Sequence, residues 1–211
     1  MHQEIVIEKI RRRGSAFILY LSDGRKISMQ AEALAKYNLG RGEAIDEKYL
    51  ERIKNESDLI KAMDYCLYLL SRRAYSTGML RKKMGERGYQ AGVVGKVLSD
   101  LKNRGLLDDR VYAIQSAEAL MRRKPAGKRF LIAYLRTKLI PRQLANEIAA
   151  ECYQDVDETE MADRLLRARW RYLSKFDLET ARTKAYNYLS RRSIDYRTAK
   201  AAFERLLREE N

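Results

Sequence analysis

The side chains best placed for chemistry in this sequence are cations. Arg72-Arg73 and Arg122-Arg123-Lys124 form two tight basic groups. Arg81, Lys82, Lys83 and Arg87 follow the first, and Lys128, Arg129, Arg136, Lys138 and Arg142 follow the second. Between Ala119 and Asn146 eight basic residues stand with no acid, and between positions 72 and 87 the single acid is Glu86. Guanidinium and ammonium groups at this density make charge-assisted hydrogen bonds to phosphate or carboxylate oxygens. Solvated helices normally intersperse the two signs, because like charges one turn apart cost about 0.2–0.5 kcal/mol per pair. These stretches are therefore read as a surface for an external polyanion. Tyr75, next to Arg72-Arg73, is the ring expected to touch the same ligand.

Other chemistries are poorly served. The one histidine is His2, which removes histidine-dependent catalysis and most metal sites together. Cys66 and Cys152 lie on apolar stripes and are expected as buried thiols. Asp108-Asp109 reads as a helix cap and not a metal pair, since adjacent carboxylates cannot complete a coordination shell. Gly92-Val93-Val94-Gly95-Lys96-Val97 fails the phosphate-loop spacing, with Gln90 and Val97 where Gly and Ser or Thr are needed. Pro125-Ala126-Gly127 reads as a turn. A non-enzymatic binding protein without metal or cofactor is expected. The net charge of +14, from 43 Lys and Arg against 29 Asp and Glu, favours an anionic partner. No stretch approaches the roughly 20 apolar residues of a membrane span, and Met1-His2-Gln3-Glu4 does not open a signal peptide. A cytosolic, cytoplasmic monomer is the expectation.

These cations must be held by helices, and the helices repeat. Val93, Val94, Val97, Leu98 and Leu101 correspond to Leu144, Ala145, Ile148, Ala149 and Cys152, 51 residues on, and then to Thr198, Ala199, Ala202, Phe203 and Leu206, 54 further. Upstream, Leu80 and Met84 correspond to Leu131 and Leu135, then Ala185 and Leu189. Stacked units of this kind bury shared faces and leave an extended outer surface. The expected fold is mainly α: a tandem array of three three-helix repeats over 58–108, 109–157 and 158–211, preceded by a small β-hairpin or sheet extension over 1–57. Helices are expected near 58–73, 76–87 and 90–104, near 109–124, 127–138 and 141–152, and near 158–175, 177–191 and 195–209. Ser76, Asp177 and Asp195 are the expected caps, Gly88 and Gly105 the stops, and Pro141 a first helical residue. In the extension, Ile5, Ile7, Phe17, Leu19, Leu21 and Ile27 alternate about the turn Ser22-Asp23-Gly24-Arg25. Short helices follow around Gly40-Arg41-Gly42, Asp46 is a cap, and Lys54-Asn55-Glu56-Ser57 marks a junction with a new helix at Ser57 or Asp58.

Arg72-Arg73 and Arg122-Arg123-Lys124 fall at the same place, the end of the first helix of repeats one and two, so stacking would align them in a basic stripe. Repeat three carries Arg191-Arg192 elsewhere and adds Asp163, Asp177, Glu179, Asp195 and Glu204, which suits docking or capping better than anion binding. The tyrosines are mostly expected as interior rings, Tyr134 and Tyr188 among them.

The sequence resembles the RecX family, bacterial regulators of the RecA recombinase. The resemblance rests on Leu69-Leu70-Ser71-Arg72-Arg73-Ala74-Tyr75-Ser76, Leu80-Arg81-Lys82-Lys83-Met84, Gly88-Tyr89, Gly105-Leu106-Leu107-Asp108-Asp109 with Tyr112-Ala113, Arg122-Arg123, Gly127, and Leu135 before Ile140. It covers residues 58 to 152 well and the remainder loosely. Met79 stands where the family usually has an acid, and Leu139 where it usually has Gly. The resemblance implies a curved array of three-helix repeats that binds the groove of a RecA filament on single-stranded DNA and blocks its extension, strand exchange or co-protease activity. It also implies possible direct DNA contact.

Overall fold

Alternation in the first thirty residues produces a meander of β1 (Ile5–Arg13), β2 (Ala16–Leu21) and β3 (Lys26–Gln30), with β4 (Ala44–Ile45) added beyond β1. All pairings are antiparallel, and the order is β3-β2-β1-β4. The computed structural model describes residues 4–210; His2 lies outside them. The turn between β2 and β3 uses Gly24 at φ +84, and the Asp23 carboxylate accepts from the Arg25 backbone N–H at 2.9 Å. Ile7, Leu19 and Met29 are fully buried against α1 (Ala31–Lys36) and the start of α2 (Glu47–Arg72).

Asp46 caps α2, accepting from Tyr49 N–H at 2.6 Å. The helix then runs unbroken for 26 residues. The junction expected at Lys54–Ser57 is absent, and no helix starts at Ser57 or Asp58. No Gly or Pro lies between Gly42 and Gly78 to break it. Ser57 is polar for another reason: it is fully buried, and its hydroxyl accepts the Gln30 backbone N–H at 2.8 Å, tying α2 to the edge of β3. The α3 (Thr77–Glu86) and α4 (Ala91–Asn103) helices complete this unit, which ends at Leu107. Leu80, Met84, Val97, Leu98 and Leu101 close its second core together with Ala62 and Cys66.

A second compact unit begins at Asp108. It contains α5 (Asp109–Arg123), α6 (Lys128–Thr137) and α7 (Arg142–Cys152), then α8 (Glu158–Arg167), α9 (Trp170–Leu173), α10 (Leu178–Ser190) and α11 (Tyr196–Glu210). Asp108 caps α5, accepting from Arg110 and Val111 N–H at 2.7 and 3.1 Å. Pro141 is the N-cap of α7, one residue before the position expected. The helix expected over 158–175 is broken after Arg167: Arg169 N–H bonds Leu166 O, three residues back, and α9 restarts at Trp170. No Gly or Pro marks this break.

The repeat is visible in the backbone as well as the core. Gly88, Leu139 and Ser193, separated by the same 51 and 54 residues, have φ of +81, +56 and +57. In each case the next residue donates its N–H five residues back, Tyr89 to Met84, Ile140 to Leu135 and Ile194 to Leu189, at 3.2–3.3 Å. This left-handed stop satisfies the free carbonyls of a helix end. Core volumes trade within it: in repeat three Ala185 and Ala202 replace larger residues of the other two repeats, and Phe203 fills the space where repeat two has Ala149.

Repeats two and three are also joined by backbone. Gly127 donates its N–H to Arg192 O at 2.7 Å, and a Cβ on Gly127 would stand 2.6 Å from Ser193 O. The glycine is thus fixed by close approach, its own φ of −67 being ordinary. Ser76 and Asp177, the N-caps of α3 and α10, cap with their own side chains, bonding Met79 and Thr180 N–H. Gly127 cannot, and Glu158 at the start of α8 supplies the missing acceptor, taking Lys128 N–H at 2.8 Å.

Candidate anion-binding interface

Arg72 is the last residue of α2 and Arg73 its C-cap; Arg122 and Arg123 end α5 and Lys124 is its C-cap. All five side chains are exposed. Cations here also meet the negative end of the helix dipole, worth about 0.3–1 kcal/mol each. On α3, Arg81 and Lys82 are exposed and Lys83 half-buried, with Arg87 exposed as the C-cap. Lys128 and Arg129 occupy the first turn of α6, and Arg142 opens α7, all exposed.

Their partners decide what they can do. Among the described residues, Arg72, Arg73, Arg81, Lys83, Arg87, Arg122, Arg123, Lys124, Lys128, Arg129, Arg136 and Arg142 form no ion pair, and Lys82 has only Glu86 at 3.9 Å. Other arginines are paired: Arg110 of repeat two with Glu151 at 2.6 Å, and in repeat three Arg167 with Glu209 at 2.7 Å, Arg182 with Glu179 at 2.7 Å and Arg205 with Asp163 at 2.9 Å, while Arg164, Arg169, Arg171, Arg191, Arg192 and Arg197 form no ion pair among the described residues. A groove of about 840 Å³ beside α2 and α4 is mixed in sign, lined by Lys36, Lys48, Arg52 and Lys96 but also Glu51, Glu56, Asp64 and Asp100. It does not select an anion. Within it the Lys36 ammonium holds the Glu56 carboxyl below its usual range, helped by the Tyr37 hydroxyl.

Aromatic rings order several of these cations. The Arg73 guanidinium lies 4.4 Å from the Tyr75 ring centroid, Arg87 3.8 Å from Tyr65, Arg72 5.9 Å from Tyr68 and Lys124 4.9 Å from Phe130. Such stacking is worth about 0.5–1 kcal/mol when exposed and leaves the N–H donors free to bond an oxyanion. Tyr75 itself is a correction. It is 7% exposed and belongs to the repeat-one core, with Arg73 lying over it, so its ring has no open face for a base. Tyr68, 59% exposed and one turn before Arg72, is the accessible ring the sequence reading passed over. Its signal was the spacing of Tyr65, Tyr68 and Arg72 along one face of α2.

Arg136 has a job inside the fold: its Nη1 donates to Ile140 O at 2.7 Å, bracing the left-handed stop at Leu139. Lys138 is half-buried, with its ammonium 5.1 Å from the Tyr134 ring. Gly92 and Gly95 lie within α4, so that stretch is helix and not a phosphate loop. Cys66 is fully buried and its thiol is pushed up to about 11 by burial; Cys152 is half-buried and shifts the same way for the same reason. Among the described residues no group of three or more His, Cys, Asp or Glu could hold a metal ion, and no helix is long and apolar enough to cross a membrane.

Residues 62–101, spanning most of repeat one, match the family model described as RecX, first three-helix domain. Over nearly its whole length the chain is similar to the regulatory protein RecX of Clostridioides difficile strain 630, with 27% identity across 95% of this chain and 94% of the relative. By these likenesses the chain resembles the RecX family. A RecX of Chlorobaculum tepidum is also 27% identical, over 74% of this chain and 95% of its own. The fold is shared with a crystal structure of regulatory protein RecX, with TM-score 0.67, 21% identity, and coverage of 95% of this chain and 99% of that one. RecX from Lactobacillus salivarius superposes with TM-score 0.61 at 18% identity, over 71% of this chain and 96% of that one. The structure makes two departures from the pattern of that family intelligible. Leu139 occupies a positive-φ stop where Gly is the unstrained choice, and Met79 sits in a first helical turn that here holds no acid for the dipole.

Proposed function

We propose that this protein is a RecX-family, non-enzymatic regulator that binds a RecA filament on single-stranded DNA and inhibits recombinase activity in DNA repair and recombination. One observation carries the reading: the cations that end α2 and α5 occupy equivalent places in repeats one and two and form no ion pair, whereas Arg167, which ends α8 in repeat three, is held by Glu209. A nucleoprotein filament offers phosphate and acidic side chains together, which suits an array of unpaired guanidinium groups. Relatives named as regulatory proteins support the regulatory role. The same reading makes the protein a cytoplasmic monomer needing neither cofactor nor metal.

Co-sedimentation with preformed RecA–single-stranded DNA filaments tests it. The parent protein is expected to pellet with filaments in excess of DNA alone. Changing Arg72, Arg73, Arg122 and Arg123 together to Ala is expected to reduce pelleting at least tenfold and leave the thermal midpoint nearly unchanged, because exposed charges contribute little to stability. Unreduced pelleting would remove these cations from the site. The unpaired charge also favours a second reading, sequence-independent phosphate binding to DNA itself. That mode weakens with salt at a log–log slope of about −0.9 per phosphate on duplex DNA. Filament binding that persists at salt concentrations abolishing naked-DNA binding separates the first reading from the second.

A further inference from the structure

The outer face of the N-terminal sheet carries cations the repeats do not explain. Strand register places Lys9 opposite Tyr20 and Tyr20 opposite Lys26, then Arg11 opposite Ile18 and Ile18 opposite Ser28. Arg13, opposite Ala16, extends the column along β1. Alternate residues of a strand share a face, and the buried Leu19 and Met29 with the half-buried Ile10 and Phe17 mark the opposite, core-facing side. Lys9, Arg11, Arg13 and Lys26 are exposed, and among the described residues none forms an ion pair. By contrast Arg25, in the turn of the same sheet, is held by Asp23 at 2.6 Å and Glu47 at 2.5 Å. The Lys26 ammonium lies 5.4 Å from the half-buried Tyr20 ring, so that row presents an aromatic face between two ammonium groups.

From this placement we propose that the outer face of the sheet is a binding site for single-stranded nucleic acid, distinct from the helix-end cations and independent of filament binding. Lys9, Arg11 and Arg13 stand two residues apart, about 6.8 Å per step along a strand, a ladder that successive phosphates of an extended chain can follow. Tyr20 and Ile18 beside it offer a flat platform on which a base can stack, the combination that serves sequence-independent single-strand binding. A duplex keeps its bases paired and gains only the charge contacts.

Cations along β1 would also discourage edge-to-edge aggregation, because β4 covers that edge only at Ile5 and Val6. The two roles separate experimentally. Fluorescence anisotropy with a labelled oligo-dT of about 20 nucleotides, titrated over salt with the full chain, is run on the parent, on Lys9→Ser/Arg11→Ser/Arg13→Ser, and on Tyr20→Leu. The triple variant is expected to lose at least tenfold in affinity at low salt and to flatten the log–log salt slope by about 2, at about 0.7 per phosphate on a single strand. Tyr20→Leu keeps the slope and loses about fivefold or more, with circular dichroism confirming that the sheet is intact. Parental affinity and slope in the triple variant overturn the site, whatever happens to its solubility. Parental affinity in a folded Tyr20→Leu overturns the single-strand assignment.

Discussion

Gly127 gives a sharp test, because local rules and the structure predict opposite signs. As the N-cap of α6, Gly127 is the residue that capping preferences would improve: serine at this position should stabilise a helix by a few tenths of a kcal/mol over glycine, and Ser76 does that work in repeat one. The structure argues otherwise. A Cβ at 127 would lie 2.6 Å from Ser193 O, 3.1 Å from Ser193 C and 3.3 Å from Arg192 O, all backbone atoms that no rotamer change can move. Relieving that overlap to an ordinary contact needs a shift of roughly 1 Å in one repeat, and overpacking of this kind costs about 1–3 kcal/mol. The same shift strains the Gly127 N–H to Arg192 O bond, worth about 1 kcal/mol. Gly127→Ser should therefore destabilise by about 2–3 kcal/mol. Urea unfolding followed by Trp170 fluorescence reads it cleanly, since the single tryptophan packs in the repeat-three core of the same unit. Glu158→Ala, which removes the borrowed cap, should cost about 0.5–2 kcal/mol in the same assay. A Gly127→Ser protein as stable as the parent would refute the close approach and the account of why this cap is glycine.

Leu98→Ala should destabilise by about 2–5 kcal/mol in urea titrations followed by circular dichroism, because Leu98 is 2% exposed within the repeat-one core; a loss well below 1 kcal/mol would contradict its burial. Leu139→Gly should stabilise by about 0.5–1 kcal/mol, since the left-handed conformation costs a non-glycine residue about 1–2 kcal/mol and the Leu139 side chain, 42% exposed, returns only part of that through burial; a lowered unfolding midpoint would count against it. Cys66, with its thiol pushed up to about 11, should resist alkylation in native buffer near pH 8, where roughly a thousandth of it is thiolate, and react as urea unfolds the chain. Rapid native labelling mapped to Cys66 by mass spectrometry would show that the first repeat opens readily.

The periodic core was legible because each repeat spends its apolar residues at the same helical intervals, and Leu80, Leu131 and Ala185 are all fully buried as their spacing implies. The caps were legible because Ser and Asp have a local mechanism, fulfilled by Ser76, Asp108 and Asp177 within three residues of each. What failed needed a partner distant in sequence. Ser57 looked like a junction residue, and the strand that makes it an interior one lies 27 residues earlier. Tyr75 looked like part of a basic surface, but adjacency to Arg73 says nothing about which way a ring turns once the helix has ended. Gly127 looked like a plain turn glycine; the backbone that excludes a side chain there comes from residues 192 and 193. The helix break after Arg167 has no residue that announces it.

For the candidate site, pairing discriminates where position cannot. A cation at a helix C-terminus is favoured by the dipole whatever the protein does, so Arg72 and Arg123 at the ends of α2 and α5 would be unremarkable alone. The acids could have been placed to neutralise them. At the end of α8 in repeat three one has been: Glu209 holds Arg167. Repeats one and two are built on the same helical plan with the same stops, yet their helix-end arginines are left without carboxylates. Self-repulsion among so many like charges lowers stability, and contacts within the fold account for Arg73, Arg87 and Arg136 but not for Arg122, Arg123 or Arg129. The polyanionic partner proposed above would supply the anions that offset that cost.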